Sequence, residues 1–195
     1  MKRLNFLLKN IKQGRILDVG NLDKQGNIHK ILIEKFPESE IHGVDIVDQN
    51  KMSLNFPNQK NGKIEEIEYP ENFFDTVYVG QVLEHSWTPK YLLGRVYKML
   101  KPGGALIIDV PHIYSLSRML RYLVTGKDVI LGNPDHKIFY SKAMLENLLG
   151  ASKFKIKEIT TENSFAFKGK LFSFPYFWRL KDYGECLMVL AQKTD

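Results

Sequence analysis

The chain has 195 residues, 44% hydrophobic and 26% charged, with a formal net charge of +6 and a pI near 9.2. That length suits one domain with its own core, the composition excludes wholesale disorder, and apolar runs such as Ala105–Val110 fall far short of the ~20 residues of a membrane span. The single cysteine, Cys186, excludes an internal disulfide framework and a multi-cysteine metal site.

The basic excess suits either an acidic partner or a lysine-rich solvated surface. The basic residues are spread along the chain with no run of five, which favours the solvated surface. The start, Met1-Lys2-Arg3-Leu4-Asn5, has no leader pattern, so the expected location is cytoplasmic.

Arg15–Val19 reads as a short apolar strand ending at Gly20, followed by a polar loop from Asn21 to Gly26. A helical pattern starts near Asn27, with Ile28, Ile31, Leu32 and Phe36 on one face. Asn27 suits an N-cap, and Pro37 lies just past the end. Glu40–Val44 is a second strand terminating in Asp45, and the weakly alternating Lys63–Ile67 is the candidate third. Phe74–Val79 is a strand of β-branched and aromatic character, Tyr91–Leu100 is an amphipathic helix, and Lys101-Pro102-Gly103-Gly104 is a turn. Ala105–Val110 is a continuous apolar strand of the kind buried on both faces of a parallel sheet. Helices are expected at Leu116–Val124 and Ser141–Leu149, and closing strands at Lys153–Thr160 and Glu185–Gln192. The alternation predicts an α/β fold. We expect a single doubly wound domain over 1–195, with a mostly parallel seven-stranded sheet, helices on both faces and an antiparallel C-terminal strand. Lid-like insertions are expected at about 113–135 and 163–181.

The chemistry centres on Asp18-Val19-Gly20 at one strand end and Asp45 at the next. In open α/β sheets ligands bind outside the carboxyl ends of the strands. A glycine there lets the backbone approach a ligand, and a carboxylate closing the second strand can accept both hydroxyls of a ribose. The dinucleotide pattern G-x-G-x-x-G is absent, which weakens a pyrophosphate reading. A nucleoside ligand remains compatible, and so does a Gly20 that only serves a tight turn.

Five segments carry a resemblance. They are Ile16-Leu17-Asp18-Val19-Gly20, His42-Gly43-Val44-Asp45-Ile46, Gly62 through Asp75, Val82-Leu83-Glu84-His85 with Leu100-Lys101-Pro102-Gly103-Gly104, and His136…Tyr140-Ser141…Leu145…Leu149. In this order, over about residues 14 to 160, they resemble the class I S-adenosylmethionine-dependent methyltransferases of the small-molecule kind. Among these, the chain looks like members that modify sugars or cell-envelope glycans. The resemblance implies S-adenosylmethionine as cofactor. Asp18 and Gly20 would line its methionine end, with Asn21 a further cofactor-binding residue, Asp45 would hold the ribose and Ile46 would pack on the adenine. Ile64 and Glu65 would grip the adenine edge, and Gly80 and Gln81 would lie against the methionine moiety. Two positions depart from the pattern: Leu22 replaces a second glycine, and Lys63 stands where an acidic residue often meets the adenine. They keep a second reading open, a non-catalytic or regulatory S-adenosylmethionine-binding protein on the same fold.

Methyl transfer to a hydroxyl benefits from a general base, and histidine is the natural type. His85, His112 and His136 are the candidates, while His29 and His42 suit structural roles. A metal site is not expected: no His-x-x-x-His occurs, and Glu84 and His85 would diverge on a helix. Nucleic acid is not expected as acceptor, since the motif of base amino-group methylation is missing after the fourth strand and Cys186 sits in a terminal strand. The expected acceptor is a small molecule bearing a hydroxyl, on a sugar or glycolipid precursor. Ser115–Val124, with Leu116, Met119, Leu120 and Leu123 on one face, and the aromatic stretch Phe165–Trp178 are the expected lid and wall. Peripheral membrane contact and a homodimer patch are the other readings of these apolar surfaces.

Overall fold

A computed structural model describes residues 2–22, 26–126, 133, 135–162, 164–167, 170–173 and 182–194. The first half of the chain forms α1 (Lys2–Asn10), β1 (Arg15–Val19), α2 (Asn27–Lys35), β2 (Glu40–Asp45), β3 (Gln59–Asn61), β4 (Phe74–Gly80) and α3 (Pro89–Met99). The second half forms β5 (Leu100–Pro111), α4 (Leu116–Thr125), α5 (Lys142–Ala151), β6 (Phe154–Thr161), β7 (Ser164–Phe167), β8 (Lys170–Ser173) and β9 (Cys186–Lys193). Seven strands make one sheet in the order β3-β2-β1-β4-β5-β9-β6. Strands β1 to β5 are parallel, and β9 runs antiparallel between β5 and β6. β7 and β8 pair as a separate hairpin. The predicted mostly parallel seven-stranded sheet is therefore the observed one.

Strand alternation divides the core into two layers. Leu17, Val19, Val77, Val79, Leu106 and Ile108 meet Leu92, Leu93 and Val96 of α3 and Leu145 and Leu149 of α5. Ile16, Tyr78 and Ile107 face the other way, onto Phe6 and Leu7 of α1 and Leu32 of α2. Each fully buried aliphatic side chain contributes ~1.5–3 kcal/mol relative to exposure, so both faces must be covered. The chain order reverses between β1 and β4, the place where open α/β sheets form a ligand crevice at the carboxyl ends of the strands.

The fold departs from the sequence reading at several places, one of them Lys101–Gly104, which belongs to β5 rather than to a turn before it. Lys63–Ile67 is a turn in which the amides of Glu66 and Ile67 both donate to the Lys63 carbonyl (2.9 and 3.1 Å). The third strand is the polar edge Gln59–Asn61, paired with Gly43–Asp45, whose composition carries no strand signal. The residue before α2 is Gly26, not Asn27. It has φ 68°, and a Cβ there would stand 2.7 Å from the Phe56 ring. Finally, α1 and the β7–β8 hairpin were not anticipated. The aromatic side chains expected as a wall over 163–181 lie outside the described residues. In the other expected lid region, Ser115 caps α4 by accepting from the Arg118 amide (3.3 Å), and no residue of α4 is buried. Among the described residues, no helix is long and apolar enough to cross a membrane.

Candidate cofactor and active site

Asp45 closes β2 with 8% of its surface exposed. Its Oδ2 accepts from the Leu22 amide (2.9 Å) and its Oδ1 from the Val47 amide (2.8 Å). Each carboxylate oxygen can accept more than one hydrogen bond, so these amides orient the group and leave lone pairs for a ligand. Leu22 thus has a part in the site: its amide holds Asp45 while its side chain is buried. Beside the carboxylate, Ile46 is 72% exposed. Across the crevice Gly20 has φ +75°, and a Cβ there would stand 2.5 Å from Val82 Cγ2. A fixed, buried carboxylate for a cis-diol, an exposed apolar side chain for a purine and a glycine at the strand tip fit a nucleoside such as that of S-adenosylmethionine.

Other expected cofactor residues are occupied with the protein itself. The Asp18 carboxylate meets His29 Nδ1 at 3.0 Å and ties α2 to β1. Asn21 exchanges two amide hydrogen bonds with Gln59 (2.7 and 3.0 Å). Ile64 is a core residue. Glu65 Oε1 accepts from Ser86 Oγ (2.9 Å), joining the loop before β4 to the turn after it. Lys63 pairs with Glu66 at 3.5 Å on the surface.

Gly80 and Gln81 lead to a network the sequence reading missed. Gln81 has φ +55°, a left-handed conformation uncommon for a non-glycine residue and typical of sites held by their surroundings. Its Nε2 donates to Asp109 Oδ1 (2.6 Å) and its amide donates to the Asp109 carbonyl (2.9 Å). Asp109 also receives the Tyr78 hydroxyl, and Arg3 Nε lies 3.1 Å from Oδ1. A side chain at Gly80 would strike the Tyr78 hydroxyl. Burial, then Asp109, pushes the Tyr78 phenol well above its usual range. Burial also pushes the Cys186 thiol up to about 12, so it is no nucleophile at neutral pH. The available signal was a lone carboxylate in the apolar run Leu106-Ile107-Ile108-Asp109-Val110.

Two of the three candidate bases come together. The rings of His85 and His136 lie 4.9 Å apart. The cause is local: Glu84 sits in a 3-10 turn after β4, and its carbonyl accepts from the amides of Lys137 (2.6 Å) and Ile138 (3.2 Å). This docks the 136–138 segment on the turn. Glu84 and His85 do not diverge as expected for a helix. One ligand atom each from Glu84, His85 and His136 lies within 4.8 Å of the others. Glu84 is 1% exposed, and no other residue gives either carboxylate oxygen a hydrogen bond. Burial pushes its carboxyl up to about 8. Burial, with His85 and Arg118 nearby, pulls His136 below the ordinary imidazole value.

His112 stands apart, with Nδ1 3.3 Å from the Gly184 carbonyl. Burial pulls it below the ordinary imidazole value. It forms one wall of a cavity of about 230 Å³ that is also bounded by Tyr114, Ser141, Thr160, Thr161, Asp182 and Tyr183. Segment 136–141 links the two places: His136 belongs to the first cluster, and Ser141 lines the cavity.

Comparison with known proteins accords with this geometry. Residues 17–108 match the family model of a methyltransferase domain. A demethylmenaquinone methyltransferase of Listeria welshimeri is 34% identical over 90 residues, covering 45% of this chain and 32% of that protein. The matched stretch spans about a third of the length of the curated relatives. A SAM-dependent methyltransferase structure from Archaeoglobus fulgidus has a TM-score of 0.73 at 20% identity, covering 98% of this chain and 92% of that one. A Burkholderia thailandensis 1,6-didemethyltoxoflavin-N1-methyltransferase, solved with 1,6-didemethyltoxoflavin and S-adenosylhomocysteine, has a TM-score of 0.67 at 17% identity, covering 100% and 77%. At these identities the two structures speak for the fold. Over residues 17–108, from β1 to β5, the chain is similar to the methyltransferase-domain family, and its whole fold is similar to that of S-adenosylmethionine-dependent methyltransferases.

Proposed function

We propose that the chain transfers a methyl group from S-adenosylmethionine to a hydroxyl of a small molecule, a sugar or glycolipid precursor. The observation that carries the cofactor half is Asp45, buried, held by two backbone amides and flanked by the exposed Ile46. Bound S-adenosylmethionine supplies a methyl group on a positively charged sulfur. Asp45 accepts the ribose hydroxyls, Ile46 covers the adenine, and Gly20 admits the ligand close to the β1 tip. The chain's task is then alignment and exclusion of water, with a group to take the acceptor's proton. The cluster of His85 and His136 fills that role in this reading, with His112 on the cavity wall. The cavity supports a sugar-like acceptor: the Tyr114 and Tyr183 rings offer stacking faces, and Asp182 and Thr160 offer hydrogen-bonding groups.

Calorimetric titration with S-adenosylhomocysteine tests the first half. Asp45→Ala is expected to weaken binding at least tenfold, for the loss of a charge-assisted hydrogen bond worth about 1.5–3 kcal/mol. Unchanged affinity in a folded variant would remove Asp45 from the site. For the acceptor, methyl-labelled S-adenosylmethionine offered with sugar, glycolipid and quinol fractions should leave label in a sugar ether. Label confined to the quinols would overturn the sugar reading.

A further inference from the structure

We propose that Glu84, His85 and His136 form a binding site for one divalent transition-metal ion at the edge of the cofactor crevice. Three observations converge on it. First, one ligand atom from each residue lies within 4.8 Å of the other two. Ligands held about 2.0–2.2 Å from a common ion stand roughly 3–4 Å apart, so small rotations of the exposed His85 and half-buried His136 complete the set. Second, Glu84 is 1% exposed, and its carboxylate has no partner beyond its own backbone amide. Buried polar groups are nearly always bonded, and an unpaired buried carboxylate is costly. Among the described residues, Glu84 is the one carboxylate with both oxygens in this state. A cation satisfies it, and the polar groups it shares the cluster with are the two imidazoles. Third, His85 Nδ1 lies 3.1 Å from the Asp135 carbonyl. That contact makes Nδ1 the protonated nitrogen and leaves the Nε2 lone pair free, the usual arrangement behind a metal-bound histidine.

Hydrogen bonds tie the cluster into the fold. The Glu84 carbonyl accepts two amides from residues 137 and 138, and the Tyr140 hydroxyl donates to the Leu83 carbonyl (3.3 Å). The guanidinium of Arg118, the nearby cation felt at both Glu84 and His136, is engaged with Glu185 at 3.7 Å. Two imidazoles and one carboxylate suit zinc, cobalt, manganese or iron in the divalent state. Three protein ligands leave coordination positions open, as at catalytic rather than structural sites. The cluster adjoins the crevice through Val82, which precedes the turn and faces Gly20.

The role of the ion rests on the proposed methyl transfer and replaces its assignment of His85 and His136 as the groups that take the proton. With the ion bound, His85 and His136 are ligands rather than bases. Glu84, His85 and His136 would hold the ion, which would supply Lewis acidity to lower the pKa of an acceptor hydroxyl, its proton leaving to solvent; methyl transfer would then form the C–O bond as the C–S bond breaks and the neutral thioether leaves.

The test is titration of untagged, chelator-treated protein with Co²⁺ alone, read by its visible ligand-field absorption. Saturation at one equivalent is expected. His85→Ala, an exposed position that leaves the core intact, should weaken Co²⁺ at least tenfold, and so should His136→Ala and Glu84→Gln in folded protein. No saturable Co²⁺ signal, or equal affinity in wild type and His85→Ala, would overturn the inference. Calorimetry with S-adenosylhomocysteine separates the two ideas. Nucleoside binding without Co²⁺ binding sinks the metal site alone. Co²⁺ binding without nucleoside binding supports the metal site and sinks the methyl-transfer reading.

Discussion

At the scale of single residues, the site is governed by which groups can be brought to the strand tips without steric conflict. Gly20 is the sharpest case, because two effects act together there: a left-handed φ, and Val82 Cγ2 only 2.5 Å from the place a Cβ would take. The left-handed conformation costs a residue with a side chain about 1–2 kcal/mol, and the contact adds to it. Gly20→Ala is therefore expected to lower the urea-unfolding free energy by roughly 2 kcal/mol or more and to weaken S-adenosylhomocysteine. Adding Val82→Ala relieves the contact but not the backbone strain, so the double variant should recover only part of the loss. Full recovery would show that φ is of no consequence there. Leu22 teaches the complementary lesson. A leucine in place of a second glycine looks like damage to a cofactor loop, yet its amide is one of the two that hold Asp45. The amide is common to every residue but proline, so residue identity at that position understates its use.

Among the elements, the end of the sheet opposite the crevice is fastened by one carboxylate. Asp75 in β4 accepts from the amide of Arg15 in β1 (2.9 Å) and from Lys101 Nζ in β5 (2.7 Å to each oxygen). It joins the starts of three adjacent strands. Burial raises its pKa, but the bonds to Lys101 and Arg15 outweigh burial and hold it below the ordinary value of 3.8. Because the folded value lies below the unfolded one, the stabilisation is present above the unfolded value and is lost as pH falls through the folded one. Asp75→Asn should cost about 1–2 kcal/mol at pH 7, the low figure reflecting partial exposure of the pair. Urea melts from pH 7 down towards 3 should show the gap between variant and wild type closing. A gap independent of pH would mean that charge plays no part. The same scale shows where periodicity is blind. β3, Gln59-Lys60-Asn61, is polar and at the sheet edge, so its strand conformation comes from pairing with β2 rather than from any pattern of its own. α1 is the reverse case. Phe6 and Leu7 carry a legible apolar signal, but what they cover, the α2 side of the sheet, follows from the topology.

For the molecule as a whole, a ligand that binds only the folded state must raise its melting temperature. At about 100 times its dissociation constant, S-adenosylhomocysteine should add ~2.7 kcal/mol, which for a chain of this size is a shift of roughly 5–10 °C. A shift with NAD and none with S-adenosylhomocysteine would overturn the cofactor assignment. The succession of β1, α2, β2, β4, α3, β5, α4, α5, β6 and β9, and the acidic end of β2, were legible in the sequence. They depend on local periodicity and on short motifs whose spacing survives folding. What only tertiary structure decided is which side chains face one another. Arg3, Tyr78, Gln81 and Asp109 converge from α1, β4 and β5. His136 reaches Glu84 and His85 across some fifty residues, while His112 turns to Gly184 instead. Asp18 and Asn21, at motif positions that imply a ligand, bond to His29 and Gln59. Side-chain partnership depends on loop paths and burial, which are set by the packing of the whole sheet and have no period along the chain.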